Sequence, residues 1–155
     1  MMGALRTRPQ ADRDLARVFL RNARGFFRGG DETGALYPDH ALYDFAIAIE
    51  LSLKAFLLWR GLTDDWNRRH LRHDLRKALR CARRAGLRGI PAGLDALTQA
   101  LSPAYQRHAI HTRSEELLAI INVPAACEMV RQLLDLVGQS VVAEALAISA
   151  DEDPG

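Results

Sequence analysis

The sequence predicts an all-α fold: a single-domain, up-and-down antiparallel bundle of about five helices. Three observations carry that expectation. Apolar residues recur at steps of three and four in one segment after another, the period of a helix with one buried face. One long run, Ala41 to Trp59, is apolar on nearly every face, as a helix with neighbours on several sides would be. Glycine and proline punctuate the chain between these segments.

The first helix is expected from Ala11 to Phe27, where Leu15, Val18, Phe19, Ala23 and Phe26 share a stripe and Arg17, Arg21, Arg24 and Arg28 lie elsewhere. Gly29-Gly30 is read as its stop, because glycine readily takes the left-handed conformation at a helix C-terminus. A second helix begins near Asp39, whose carboxylate is placed to cap free N–H groups, and ends at Gly61. Its Glu50 and Lys54 stand four apart in the favourable order and form a structural charge pair. That pair either supports the helix locally or leaves Glu50 partly buried, holding a cation from another helix. Residues 63–72 read as a polar loop anchored by Trp66. A third helix follows from His73 or Asp74 to Ala85, closed by Gly86, with Asp74 as its cap and His73 packed at the junction. A fourth runs from Ala92 to Leu101, Ser102-Pro103 restarts a segment of uncertain continuity to Ile121, and a last helix opens at Asn122 with Pro124 in its first turn. The bundle is thus expected over 11–147, with flexible tails at 1–10 and 148–155.

A chain of 155 residues, 48% hydrophobic and 26% charged, is enough for one domain that folds around its own core. The run from Ala41 to Trp59 contains Asp44, Glu50 and Lys54, which argues for a buried helix over a membrane span. With a polar N-terminus lacking the apolar run of a secretory signal, a cytoplasmic protein is expected. Cys81 and Cys127 read as reduced core residues, since they lack CxxC spacing.

Charge is unevenly distributed. Arg68, Arg69, Arg72, Arg76, Lys77, Arg80, Arg83, Arg84 and Arg88 face a single acid, Asp74, between Asn67 and Ile90, whereas the chain from Ser114 onward is strongly acidic. The two poles either solvate the fold or present a patch for a polyanion. The residues named for RNA or nucleotide contact are Arg68, Arg69, Arg72, Arg76, Arg80, Arg83 and Arg113.

The chain has no GxxxxGK[ST], no GxGxxG after a strand, no HExxH and no nucleophile-elbow serine, which sets aside the commonest NTPase, dinucleotide, zinc-protease and hydrolase chemistries. His70 and His73 are a weak metal pair among arginines that repel a cation, so neither metal nor cofactor is expected. The remaining cluster is Arg107, His108, His111 and Arg113. On one continuous helix Arg107 and His111 would share a face. A guanidinium that holds phosphate beside an imidazole that moves a proton suits cleavage of a phosphodiester. Arg107 and His111, with His108 in reserve, are the catalytic candidates.

Three blocks, AIAIELSLKAFLLWRG (46–61), HDLRKALRCARRAGL (73–87) and YQRHAIHTR (105–113), together resemble the HEPN superfamily (higher eukaryote and prokaryote nucleotide-binding domain). The resemblance implies a helical bundle that dimerises. Many such domains are metal-independent RNases of toxin–antitoxin systems, and others are non-catalytic companions of small nucleotidyltransferases. Catalytic members carry an arginine followed by a histidine with four to six residues between. Arg107 and His111 have three between them, and Arg68 and His73 have the right gap in a different block. The leading expectation is therefore a dimerising binding module with a nucleotidyltransferase-type partner and RNA or nucleotide contact. The alternatives are a metal-independent endoribonuclease and a scaffold that binds no nucleic acid.

Overall fold

The apolar run is the interior rod. In the computed structural model, which describes the backbone of residues 2–151 and the side chains of residues 12–141, α2 spans Pro38–Trp59 and buries fifteen of its 22 residues. Every side chain from Ser52 to Trp59 is buried. Around it stand α1 (Met2–Thr33), α4 (Leu75–Arg84), α5 (Leu94–Gln106), α6 (Ser114–Ile120) and α7 (Val123–Asp151), all of which touch α2. A short α3 (Asp64–Trp66) runs into a wider π-type turn over Asn67–Leu71. The fold is all-α, with seven α-helices and no strand among the described residues. Among the described residues no single helix is long and apolar enough to cross a membrane.

The differences from the five-helix expectation have physical reasons. α1 does not stop at Gly29-Gly30 but continues through them to Thr33. These glycines serve contact, not termination: a Cβ on Gly30 would come within 2.7 Å of the Phe45 ring, and one on Gly29 within 3.4 Å of Asp44. They let α1 pack closely against the start of α2. At the other end Arg13 and Arg17 of α1 lie over the Trp59 ring, at 5.1 and 5.4 Å, so the two helices run antiparallel along their length. α1 begins at Met2, so residues 2–10, expected as a tail, are helical, as are 148–151 within α7. The rest of the expected C-terminal tail, 152–155, lies outside the described residues.

The segment expected as a loop is helical over 64–71. The Thr63 hydroxyl accepts from the Trp66 N–H at 3.0 Å, and Asp64–Arg68 and Asp65–Arg69 form ion pairs one turn apart. α5 passes straight through Ser102-Pro103. Ser102 is fully buried, and its hydroxyl accepts from the Leu75 N–H at 3.0 Å and from Gln106 at 2.8 Å. That anchor ties α5 to the start of α4 across the point where proline removes one helix hydrogen bond. Asp39 does not cap α2. Pro38 opens the helix after Tyr37, without a side-chain cap. Asp74 and Asn122 do cap, accepting from Lys77 at 3.1 Å and from Ala125 at 2.9 Å.

Candidate functional site

Near the middle of the rod the apolar surface gives way to a buried polar group. Glu50 is only 6% exposed and Lys54 8%, and the two pair at 2.8 Å. Lys54 also donates to the backbone carbonyl of Arg72 at 2.7 Å. The other Glu50 contacts come from different elements: the Nδ1 of His73 stands 3.0 Å from Oε2, and the Tyr105 hydroxyl donates to the same oxygen. Burial, reinforced by the Glu50 charge, pushes the Tyr105 phenol well above its usual range, so it stays a donor. A buried carboxylate is tolerable only when paired and hydrogen-bonded, and here a lysine, a histidine and a tyrosine do both. One buried residue therefore ties α2, the entry to α4 and the end of α5 together.

His73 has its Nδ1 turned inward to Glu50, while its side chain remains 46% exposed. Its ring packs edge-on against Tyr105 at 5.4 Å and against His108 at 5.8 Å between centroids. From Tyr105 the aromatic contacts continue to Tyr43 at 6.1 Å, from Tyr43 to His111 at 5.5 Å, and from His111 to His40 at 5.0 Å. The result is a band of four histidines, with tyrosines between them, across one side of the bundle.

One residue of this band, and Arg72 at its edge, sit in backbone conformations that L-residues avoid. Arg72 has φ 46° and ψ −118°, and His108 has φ 54°. They are the only non-glycine residues with positive φ among those described. Such conformations cost about 1–3 kcal/mol each and persist where surrounding contacts over-determine them. Lys54 gripping the Arg72 carbonyl is one such contact.

The expected catalytic pair is not assembled. α5 ends at Gln106, His108 turns the chain left-handed, and a new helix starts at Ser114, so Arg107 and His111 do not share a helical face. His111 instead faces Asp39, with Nδ1 3.4 Å from the carboxylate, while Arg107 is exposed and makes no ion pair among the described residues. Partial burial pulls Asp39 upward, but the His111 hydrogen bond and the neighbouring His40 outweigh it and leave this carboxyl below its usual value. Asp39, His40 and His111 bring their donor atoms within 4.8 Å of one another, a grouping absent from the sequence expectations.

The expected phosphate-contact arginines are divided. Arg68 and Arg69 are spoken for by Asp64 and Asp65, and Arg83 makes a double hydrogen bond to Asp95, at 2.6 Å on each arm. Arg76 and Arg80 line a cleft with Asp74 and Asp95. Arg72 is exposed at the edge of the histidine band, and Arg113 is exposed at the start of α6. Cys81 and Cys127 are both free. Cys127 is buried, and burial with the adjacent Asp31 pushes its thiol up to about 11, so it is not a nucleophile near neutrality.

Sequence reasoning missed Tyr43, Tyr105, His40 and the role of His73. The signals were present. Tyr37, His40 and Tyr43 fall at three-residue steps, and the buried alternative for Glu50 already required a partner from another helix. No family model, curated protein or solved structure matches the chain.

Proposed function

We propose that the chain is a HEPN-like helical binding module that takes the phosphate groups of RNA or of a nucleotide at the rim formed by His73, His108, Arg72 and Arg107. One observation carries this reading: Glu50, buried in the central rod, holds the Nδ1 of a half-exposed His73 at 3.0 Å. With Nδ1–H donated inward, Nε2 is the free nitrogen and its orientation is set in advance. Arg72 supplies an accessible cation beside it. The highly exposed Leu36 and Tyr37, next to His40, form an apolar edge suited to a second copy or a nucleotidyltransferase-type partner.

A second reading, the metal-independent endoribonuclease, draws on the approach of His73 to His108. It moves the acid–base role from His111 to the pair His73 and His108, and leaves Arg107 to hold phosphate. One takes the proton of a ribose 2′-OH as that oxygen attacks phosphorus. The other gives a proton to the departing 5′-oxygen, leaving a 2′,3′-cyclic phosphate.

Fluorescence anisotropy of a short single-stranded RNA against salt tests the binding reading. The expected slope is about −0.7 per phosphate contact, with affinity lost on His73→Ala and on Arg72→Ala. A flat salt dependence, or affinity indifferent to both changes, leaves the scaffold reading. Cleavage of the same RNA in EDTA tests the enzyme, which is rejected if no product forms or if product survives both His73→Ala and His108→Ala.

A further inference from the structure

We propose that Asp39, His40 and His111 form a binding site for a divalent transition-metal ion of the zinc class, one that clasps the turn between α5 and α6 onto the first turn of α2. The donor atoms already stand near the required spacing. Ligands about 2.0–2.1 Å from a tetrahedral ion are roughly 3.3 Å from one another. The Asp39 Oδ2 and His111 Nδ1 atoms are 3.4 Å apart, and all three residues offer donors within 4.8 Å. The exposed His40 side chain turns to complete the set as the ion binds.

The donor chemistry selects the ion. Two imidazole nitrogens and one carboxylate oxygen suit zinc and its first-row neighbours, whereas calcium and magnesium take oxygen shells. Three protein ligands leave one position for water. The rings already lie among aromatic neighbours, His40 between Tyr37 at 5.8 Å and His111 at 5.0 Å, and His111 against Tyr43 at 5.5 Å. The free N–H groups at the start of α2 oppose a cation. Asp39 itself and the half-buried Asp44, close enough to feel the charge of both imidazoles, offset them.

The clasp joins positions 72 residues apart in sequence. The turn it fixes also carries His108, so a bound ion would stiffen the rim without touching His73. Its readouts are metal stoichiometry and thermal stability, and they stand or fall independently of phosphate binding.

The test titrates Zn2+ into the full chain against a chromophoric chelator, and Co2+ while watching its visible absorption. One ion per chain, a four-coordinate Co2+ spectrum and a melting temperature that rises with Zn2+ are expected. His40→Ala and His111→Ala should each weaken binding by about 100-fold or more, because outer-shell losses alone cost 10–100-fold. The conservative Asp39→Asn should weaken it with little change in the apo-protein melting temperature, because the exposed pair with His111 contributes little to stability. His70→Ala should leave it intact, since His70 stacks on Trp66 away from this cluster. No binding, uptake undiminished by His40→Ala and His111→Ala, or uptake lost with His70→Ala would overturn the proposal and leave Asp39–His111 as a plain ion pair.

Discussion

Two helix ends in this molecule are built alike and filled differently. At the end of α4 the Leu87 N–H reaches back to the Ala82 carbonyl and the Gly86 N–H to Arg83, with Gly86 at φ 105°. At the end of α5 the Ala109 N–H reaches Ala104 and the His108 N–H reaches Tyr105, the same pairing of hydrogen bonds. The left-handed position belongs to glycine in the first case and to histidine in the second. A side chain there costs about 1–2 kcal/mol. The α4 end meets Arg60, whose Nε donates to the Ala85 carbonyl, so it only joins two helices. The α5 end meets His73 and the Glu50 network. The contrast indicates that strain is carried at the end that faces the candidate site and is absent from the one that does not.

The hardest way to break this contrast is to remove its support. Glu50→Ala leaves Lys54 buried without its carboxylate and should cost about 3–5 kcal/mol in urea denaturation. A loss under about 1 kcal/mol would mean the network carries little. A glycine needed for closeness rather than for its dihedral gives the next effect. Gly30→Ala drives a methyl group into Phe45 and should cost about 1–3 kcal/mol by thermal melting. Exchanging the two helix ends sharpens the comparison most finely. Gly86→His should destabilise by about 1 kcal/mol, because a Cβ there meets nothing closer than 3.6 Å and only the dihedral is strained. His108→Gly should stabilise by a similar amount while weakening RNA binding. Two changes of equal sign would end the argument.

The smallest effect belongs to an exposed pair outside the site. The hydrogen bonds from Arg83 hold the Asp95 carboxyl below its ordinary value. A carboxyl depressed in the folded state adds stability above its unfolded pKa and loses it as pH falls through the folded one. Stability should therefore drop as pH goes below about 4, by under 1 kcal/mol for this pair because it is exposed, and the drop should be smaller by that contribution in Asp95→Asn, with the part due to Asp39 remaining.

The sequence carried the rod, the capping role of Asp74 and the stops at Gly61 and Gly86, because each is written in local pattern. Gly29-Gly30 misled because the same residue serves termination and close approach, and only the position of Phe45 tells them apart. Pro103 misled because the buried Ser102 tether comes from α4, far along the chain. The site was legible in its ingredients, the Glu50–Lys54 spacing and the histidines of 105–113, but not in its pairing. His111 meets Asp39 and His108 meets His73 through a chain reversal that rests on a histidine in a position where glycine is usual, and nothing in the local pattern announces it.

The central claim is that the Glu50 network, besides joining α2, α4 and α5, aims His73 at the proposed phosphate rim. Replacing Glu50, Lys54 and Tyr105 at once by Leu, Met and Phe removes every member of the buried pair and its hydroxyl, and such exchanges for apolar residues are often neutral or stabilising. The measurement is RNA affinity by anisotropy on this triple variant, after its urea midpoint is shown to equal or exceed that of the wild type. The account predicts a stable protein whose affinity falls at least as far as in His73→Ala. A stable triple variant that binds RNA as well as the wild type would contradict it.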